Sequence, residues 1–214
     1  MKKGLTEASF ADSKGLGAPD MVANSSWVVM KFGGTSVATA EHWDTIAKLL
    51  RARLDAGLRP VVVHSALGGV SDALTGILEL AVAGDPEIRL EQVRRQHLEL
   101  AADLGLDGSD LLGDYLHELA QLVAGVRLVR EVSVRVRVRV MALGELMATV
   151  LGAAFLDSCG LATHWVDARE LLTSREPPGT SETTGYLAAT CDFAPDDELQ
   201  DRLETLGGVV LTQG

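Results

Sequence analysis

Short apolar runs alternate with longer helical stretches along most of this chain. The runs at 27–30, 60–64, 161–166 and 208–212 have the length of buried strands, and stretches with apolar residues at helical spacing separate them. Strands that are joined through helices form parallel sheets, because each helix returns the chain to the same end of the sheet. The pattern therefore predicts an α/β fold, a three-layer α/β/α sandwich around a mostly parallel sheet.

The chain divides into a short polar tail and one long folded part. Its 214 residues are enough for one sizeable core, or for a large part of a bigger one. Residues 1–26 mix Gly, Ser, Lys, Asp and Asn without periodicity, which predicts a flexible N-terminal tail. Residues 27–214 carry the alternating pattern and form the predicted domain.

One segment is ambiguous between strand and helix. The run 132–140, VSVRVRVRV, alternates strictly, as an exposed-face strand does. Val140, Leu143, Met147 and Val150 continue from it with helical spacing. We favour a helix that starts near Ser133, because serine is a good N-cap residue.

The net charge of the chain limits the classes of partner it can bind, and its cysteines indicate the compartment. The chain has 19 basic and 30 acidic residues, a net charge of -11, which disfavours binding to nucleic acid or to anionic membranes. Neither a membrane-spanning apolar stretch nor a secretory signal is expected from the sequence. Cys159 and Cys191 lie far apart without a C-x-x-C motif, which is typical of idle thiols in a reducing cytoplasm.

A glycine loop follows the first predicted strand in the segment 31–36, KFGGTS. A strand that ends in glycines before a helix can hold an anion, because backbone N–H groups point into the loop and phosphate oxygens can come close. Lys31 precedes the glycines, whereas the lysine of a Walker-type loop follows them, and no G-x-G-x-x-G is present. A purely structural turn and a phosphate site are both compatible with this segment.

Two further segments could carry chemistry. The segment 64–71, HSALGGVS, repeats the order of strand, glycine loop and helix, so both loops should open at one edge of the sheet. Ser71 and Asp72 are predicted to cap the helix that follows. Glu145 interrupts a mostly apolar helix beside Gly144, which suggests either a carboxylate for an ammonium group or a surface glutamate.

These segments resemble the aspartate kinases of the amino acid kinase family. VVMKFGGTSV is similar to their opening signature, and VVHSALGGVSDALT, LGELMAT, THWVDARELLT and VVLTQG resemble later segments in the same order. The resemblance covers about residues 27–214 and implies the carbamate kinase-like fold of that family. LGELMATVLGAAFL after the VRVRV segment also resembles the kinase part of fused aspartate kinase–diaminopimelate decarboxylase proteins.

The resemblance implies a reaction in which the β-carboxylate of L-aspartate attacks the γ-phosphoryl group of MgATP. Lys31 would lie at the transferring phosphoryl group and Glu145 would bind the substrate ammonium. Other groups would bind ATP phosphates (Gly33, Gly34, Thr35, Ser36) or lie near the aspartate (Ser65, Ser71).

The implied chemistry needs few protein groups. The substrate carboxylate is itself the nucleophile, so no general base is required, and we interpret His42, His64, His97, His117 and His164 as non-catalytic. Mg2+ is expected to arrive mainly on the ATP phosphates.

One departure from the family pattern affects the expected activity. A GRGGSD-type segment that follows TQG in the family does not occur before Gly214, and ACT domains are missing. The chain is therefore predicted to be the N-terminal, substrate-side part of a kinase domain, incomplete at its C-terminus, with little turnover alone and a tendency to form homo-oligomers. Alternatives are a kinase for glutamate or acetylglutamate, and a non-catalytic interaction module that uses the helices of residues 86–130.

Overall fold

A computed structural model describes residues 26–172, 174–175, 181, 185, 190–191 and 194–214. The tail predicted for residues 1–26 lies outside the described residues except for Ser26, and so do most of residues 173–193. All structural statements below concern the described residues.

Four parallel strands form the main sheet, which confirms the predicted α/β architecture. They are β1 (Trp27–Phe32), β2 (Arg59–His64), β3 (Thr163–Trp165) and β6 (Val209–Gln213), in the order β1-β2-β6-β3. A separate antiparallel pair consists of β4 (Ser174–Arg175) and β5 (Thr190–Cys191).

Helices connect these strands as the apolar spacing predicts. They are α1 (Ala40–Asp55), α2 (Val70–Ala83), α3 (Glu87–Asp103), α4 (Gly108–Val129), α5 (Val134–Ser158), α6 (Ala168–Leu171) and α7 (Asp197–Glu204). A 3-10 turn (Gly34–Val37) follows β1.

Capping residues decide where several helices start. Thr39 caps α1, and Ser133 caps α5 by accepting a hydrogen bond from the N–H of Val136 at 3.3 Å, which confirms the helical interpretation of the VRVRV segment. The predicted cap of α2 is wrong. Its N-cap is Gly69 with φ 82°, so Ser71 and Asp72 lie in the first turn.

The core fills the face of the sheet that α1 and α5 cover. Trp43 of α1 lies at its centre, edge-on to His64 at 5.3 Å between ring centroids and to Phe155 at 6.2 Å. Its indole N–H donates to the carbonyl oxygen of Val37 at 2.9 Å. A Cβ atom on Gly152 would overlap this indole, so glycine is required where α5 crosses Trp43.

Helix α5 corrects one expectation from the sequence. With 25 residues it is long and apolar enough to span a membrane by length and composition, although no such stretch was expected. About two thirds of its apolar window (67%) is buried against other described residues. That burial is typical of the core helix of a globular domain.

The opposite face of the sheet carries α7 and a groove. Apolar residues of β1, β2 and β6 line a cavity of about 890 Å³ beneath this helix. Arg59 stacks on the ring of Trp27 at 3.9 Å and donates hydrogen bonds to the carbonyl oxygens of Leu203, Glu204 and Leu206 at the end of α7. Helices therefore flank the sheet on both sides.

Candidate active site

Two glycine-containing loops meet at the carboxyl edge of the sheet. The N–H of Ser65 donates to the carbonyl oxygen of Phe32 at 3.2 Å, which extends the pairing of β1 with β2 by one step. The N–H of Gly68 then donates to the carbonyl oxygen of Gly34 at 3.1 Å. The prediction that both loops open at one edge is confirmed.

The two glycines of the first loop differ in what a side chain at each position would meet. A Cβ atom on Gly34 would overlap the carbonyl oxygen of Ala66 and lie 3.1 Å from the nitrogen of Gly68, so the contact between the loops requires glycine there. Gly33 is exposed and extended (φ -78°, ψ 166°), and a Cβ atom on it would meet nothing within 4 Å. The space beside Gly33 is therefore open to a ligand.

Thr35 and Ser36 are exposed on the turn that follows. The N–H of Ser36 donates to the carbonyl oxygen of Gly33 at 2.9 Å and closes this turn. Nδ1 of His42 lies 3.0 Å from the carbonyl oxygen of Thr35, so this nitrogen carries the proton and α1 holds the loop. His42 was predicted to be non-catalytic, and its contact gives it a structural role in the loop.

Lys31 and Glu145 lie close enough for the charge of the lysine to act on the carboxyl of the glutamate. Lys31 is exposed near the end of β1, and Glu145 is half-buried on α5. Burial raises the pKa of the Glu145 carboxyl, and the positive charge of Lys31 opposes that rise. The Glu145 carboxyl is partly desolvated, so its position does not fit the interpretation of Glu145 as a freely solvated surface glutamate.

Close helix packing sets the position of Glu145. A Cβ atom on Gly144 would lie 2.9 Å from Cδ1 of Leu74 and 3.0 Å from Cγ1 of Val70, both on α2. It would also lie 3.4 Å from Cβ of Ala66 in the second loop. The glycine beside Glu145 thus lets α5 approach both α2 and the loop that follows β2.

The two serines of the second loop lie in different environments. Ser65 is half-buried directly after β2, next to Ala66, which Gly144 approaches. Ser71 is exposed in the first turn of α2, and its carbonyl oxygen accepts a hydrogen bond from the hydroxyl of Thr75 at 3.1 Å. Each serine is therefore next to a residue that packs against Gly144, the neighbour of Glu145: Ser65 beside Ala66 and Ser71 beside Val70.

His64 supports the second loop from the core. Its ring is fully buried, and its Nδ1–H donates to the carbonyl oxygen of Ser65 at 2.9 Å. Burial lowers the pKa of His64 to about 4, so the imidazole is neutral at physiological pH. No local sequence pattern predicts this contact, because it depends on the His64 ring turning into the core between Trp43 and α5.

A second ion pair lies beyond the end of β3. The Arg169 guanidinium donates to both carboxylate oxygens of Asp167, at 2.6 to 3.0 Å, and Asp167 also caps α6. These hydrogen bonds hold the pKa of Asp167 below its ordinary value. Burial and the nearby Asp167 raise the pKa of Tyr115 on α4. The segment VDAR thus forms a fixed polar corner beside the sheet edge.

The family model described as "Amino acid kinase family" matches residues 26–205. This chain belongs to the amino acid kinase family. The match covers most of the chain, including both glycine loops and the turn that carries Glu145.

Several curated relatives are aspartokinases. Aspartokinase 3, chloroplastic, of Arabidopsis thaliana is 35% identical over 148 residues, which cover 67% of this chain and 26% of the relative. Lysine-sensitive aspartokinase 3 of Escherichia coli is 28% identical over 195 residues, which cover 89% of this chain and 40% of the relative. The chain therefore spans about a quarter to two fifths of the length of these relatives.

A solved structure has the same fold. The E. coli aspartokinase III complex with aspartate and ADP matches with a TM-score of 0.68 and 26% identity, over 87% of this chain and 40% of that chain. The likeness supports the parallel sheet with flanking helices as the kinase fold of the family.

Proposed function

We propose that this chain is the substrate-side part of an aspartate kinase catalytic domain, which transfers the γ-phosphoryl group of ATP to the β-carboxylate of L-aspartate and forms 4-phospho-L-aspartate. The observation that carries the proposal is the meeting of the Lys31 loop, the Ser65 loop and Glu145 at one edge of the sheet. Ligands bind at this edge in open α/β sheets.

Glu145 is proposed to bind the substrate ammonium group. Its carboxyl is partly desolvated, and burial raises its pKa, so ionisation has a cost in the free protein. A bound ammonium group would compensate the carboxylate charge and favour the ionised form. A glutamate in this position thus favours a cationic group of the substrate over a neutral one.

Lys31 and the first loop are proposed to bind the phosphates. The extended, open backbone at Gly33 and the exposed Thr35 and Ser36 give phosphate oxygens access to N–H and O–H donors. Lys31 would compensate the negative charge that spreads over the transferred group. Ser65 and Ser71 would orient the aspartate carboxylate.

The described residues form no protein site for Mg2+. The described part of the chain brings together no three His, Cys, Asp or Glu side chains that could hold a metal ion. We propose that Mg2+ is held through the ATP phosphates, and we assign no step to a protein-bound metal.

Several broader proposals follow from the same assignment. The reaction would be the first step of lysine, threonine and methionine biosynthesis, in the cytoplasm, in a protein that forms homo-oligomers. The resemblance to fused aspartate kinase–diaminopimelate decarboxylase proteins stays a prediction, which the coding sequence after Gly214 tests directly.

The assay of the reaction is acyl phosphate capture. Hydroxylamine traps 4-phospho-L-aspartate as a hydroxamate in the presence of MgATP and L-aspartate, and glutamate and acetylglutamate serve as alternative substrates. We expect hydroxamate with aspartate from the full-length protein and little from the 214-residue chain. Turnover of glutamate or acetylglutamate in preference to aspartate would replace the proposed substrate.

An interaction role has one observation in its favour. Ile88 at the start of α3 and Leu128 and Val129 at the end of α4 are exposed. Arg127 bonds to Glu87 at 3.5 Å, so these two helix ends are adjacent. Size-exclusion chromatography of Leu128→Ser beside the wild-type chain tests whether this surface joins two copies.

A further inference from the structure

One buried hydroxyl connects three elements behind the candidate site. Thr149 of α5 is fully buried, and its Oγ1 accepts hydrogen bonds from Nε1 of Trp165 at 2.9 Å and from Nε2 of Gln213 at 3.0 Å. Its own proton is directed to the helix carbonyl oxygens of Glu145 at 2.9 Å and Leu146 at 3.1 Å, of which that of Glu145 is nearer. A hydroxyl offers one proton and two lone pairs, so all of its hydrogen-bonding capacity is used.

Gln213 extends this cluster to a fourth element. It is the last residue of β6 and is 9% exposed. While its Nε2 donates to Thr149, its Oε1 accepts from the N–H of Ala168 at 2.7 Å, at the start of α6. The two partners fix the orientation of the amide, because only the oxygen can accept from the backbone N–H.

The cluster adjoins the turn that carries Glu145. Thr149 lies one helical turn after Glu145 and bonds to its backbone carbonyl. Gln213 pairs in register with His64, the residue before Ser65. On the other side, Gly144 holds the same turn of α5 against α2 and Ala66. The turn is thus fixed from both sides, by apolar contact and by hydrogen bonds.

We propose that Thr149 is a positioning residue, which through Trp165 and Gln213 holds the Glu145 turn at the distance from the sheet edge that the substrate requires. The inference rests on the proposed role of Glu145. Loss of the hydroxyl would leave the indole N–H and the amide N–H without their buried partner, and regaining partners would require β3, β6 or α5 to shift. A carboxylate that binds an ammonium group directly is sensitive to such a shift.

Aspartate affinity of Thr149 variants is the primary test. Calorimetric titration of the chain with L-aspartate should show binding weakened about tenfold in Thr149→Val, an isosteric change, and within about twofold of the wild type in Thr149→Ser. Thr45→Val is the matched control, because the Thr45 hydroxyl bonds to the carbonyl of Glu41 within its own exposed helix turn. Equal affinities for the wild type and Thr149→Val would overturn the proposal.

A double-mutant cycle separates positioning from general destabilisation. If Thr149 acts through Glu145, then Thr149→Val should change aspartate affinity less than twofold in a Glu145→Gln background. Additive losses would mean that Thr149 acts elsewhere, and would overturn the inference. If Thr149→Val does not fold, Gln213→Met takes its place in this cycle, because it removes the hydrogen bond from Gln213 to Thr149.

An NMR measurement reports on the cluster independently of the ligand. The chain has three tryptophans, and the indole N–H of Trp165 should exchange with solvent faster in Thr149→Val, whereas that of Trp43, bonded to Val37, should not change. If the wild type binds no aspartate, the proposed function and this inference fail together. If Glu145→Gln weakens binding and Thr149→Val does not, the inference alone fails.

Discussion

The positive charge of Lys31 acts on the carboxyl of Glu145 and opposes the rise in the pKa of Glu145 that burial causes. One residue is exposed at the end of β1 and the other is half-buried on α5. In the proposed function, Glu145 would bind the ammonium group of the substrate and Lys31 would lie at the transferred phosphoryl group. The roles of Lys31 and Glu145 can therefore be tested by separate substitutions.

Replacing Lys31 should affect the chemical step. In the full-length protein, Lys31→Met should lower kcat about 100-fold, because a preorganised charge at the transferred phosphoryl group is lost. The KM for aspartate should change much less. Lys48→Met on α1 is a control cation, and hydroxamate formation under saturating MgATP and aspartate is the measurement. An unchanged kcat would remove Lys31 from the proposed site.

We expect Glu145 to lower the stability of the folded chain, although it would bind the substrate. Since burial raises its pKa, the ionised carboxylate costs stability, and that cost is complete above the folded pKa and absent below the unfolded pKa of about 4.3. Glu145→Gln should therefore raise the Tm at pH 7 by about 1 to 3 °C. Thermal melts at pH 7 and pH 4 should show this gain shrinking at the lower pH. A gain that grows as the pH falls would contradict the assigned direction.

The glycines of the first loop form a matched pair. Gly34→Ala should destabilise the chain by about 1 to 3 kcal/mol, because the methyl group would overlap the backbone of the second loop. Gly33→Ala should leave stability within about 1 kcal/mol, since its backbone is extended and its surroundings are open. Urea denaturation measures both changes. Equal losses would mean that the contact between the loops is not what Gly34 provides.

Gly33→Ala should nevertheless weaken nucleotide binding if phosphate oxygens use the space beside it. We expect an affinity for MgATP reduced about tenfold or more in the full-length protein, measured by calorimetry. Full nucleotide affinity in this variant would place the phosphates elsewhere.

Two helical glycines should respond in opposite directions to the same change. Gly152→Ala should cost about 2 kcal/mol or more, because its methyl group would overlap the indole of Trp43. Gly125→Ala, at an exposed position of α4, should stabilise the chain by about 0.5 to 1 kcal/mol, since the added Cβ would meet no described residue outside its own helix within 4 Å and glycine is a poor helix former. Stability measured in urea compares them directly, and a stabilising Gly152→Ala would refute the packing assigned to Trp43.

The Asp167–Arg169 pair should give pH-dependent stability. Asparagine can keep the helix cap, so Asp167→Asn isolates the charge and should cost about 0.5 to 1.5 kcal/mol at pH 7. Because the pKa of Asp167 is lowered, this contribution is present above the unfolded pKa of about 3.9 and is lost as the pH falls through the folded pKa. Asp107→Asn, at the cap of α4, is the control. A cost independent of pH would exclude the ion pair as its source.

Local signals in the sequence predicted the elements well where one residue type decides the structure. Ser133 caps α5 as expected, and Thr39 caps α1 in the same way, because a side-chain oxygen at that position accepts from the free N–H groups of the first turn. The start of α2 was wrong by two residues. There Gly69 adopts φ 82°, and the tight turn from β2 begins the helix before Ser71 can cap it.

The sequence by itself determined the alternation of strands and helices, the two glycine loops and their family resemblance, because periodicity, caps and glycines act within a few residues. Only the tertiary structure decided which of these parts meet. The overlap that forces Gly34 to be glycine, the burial that raises the pKa of Glu145 and the hydroxyl of Thr149 shared by Trp165 and Gln213 all join residues distant along the chain. Such contacts depend on how helices pack on a sheet, and no local pattern in the sequence records that packing.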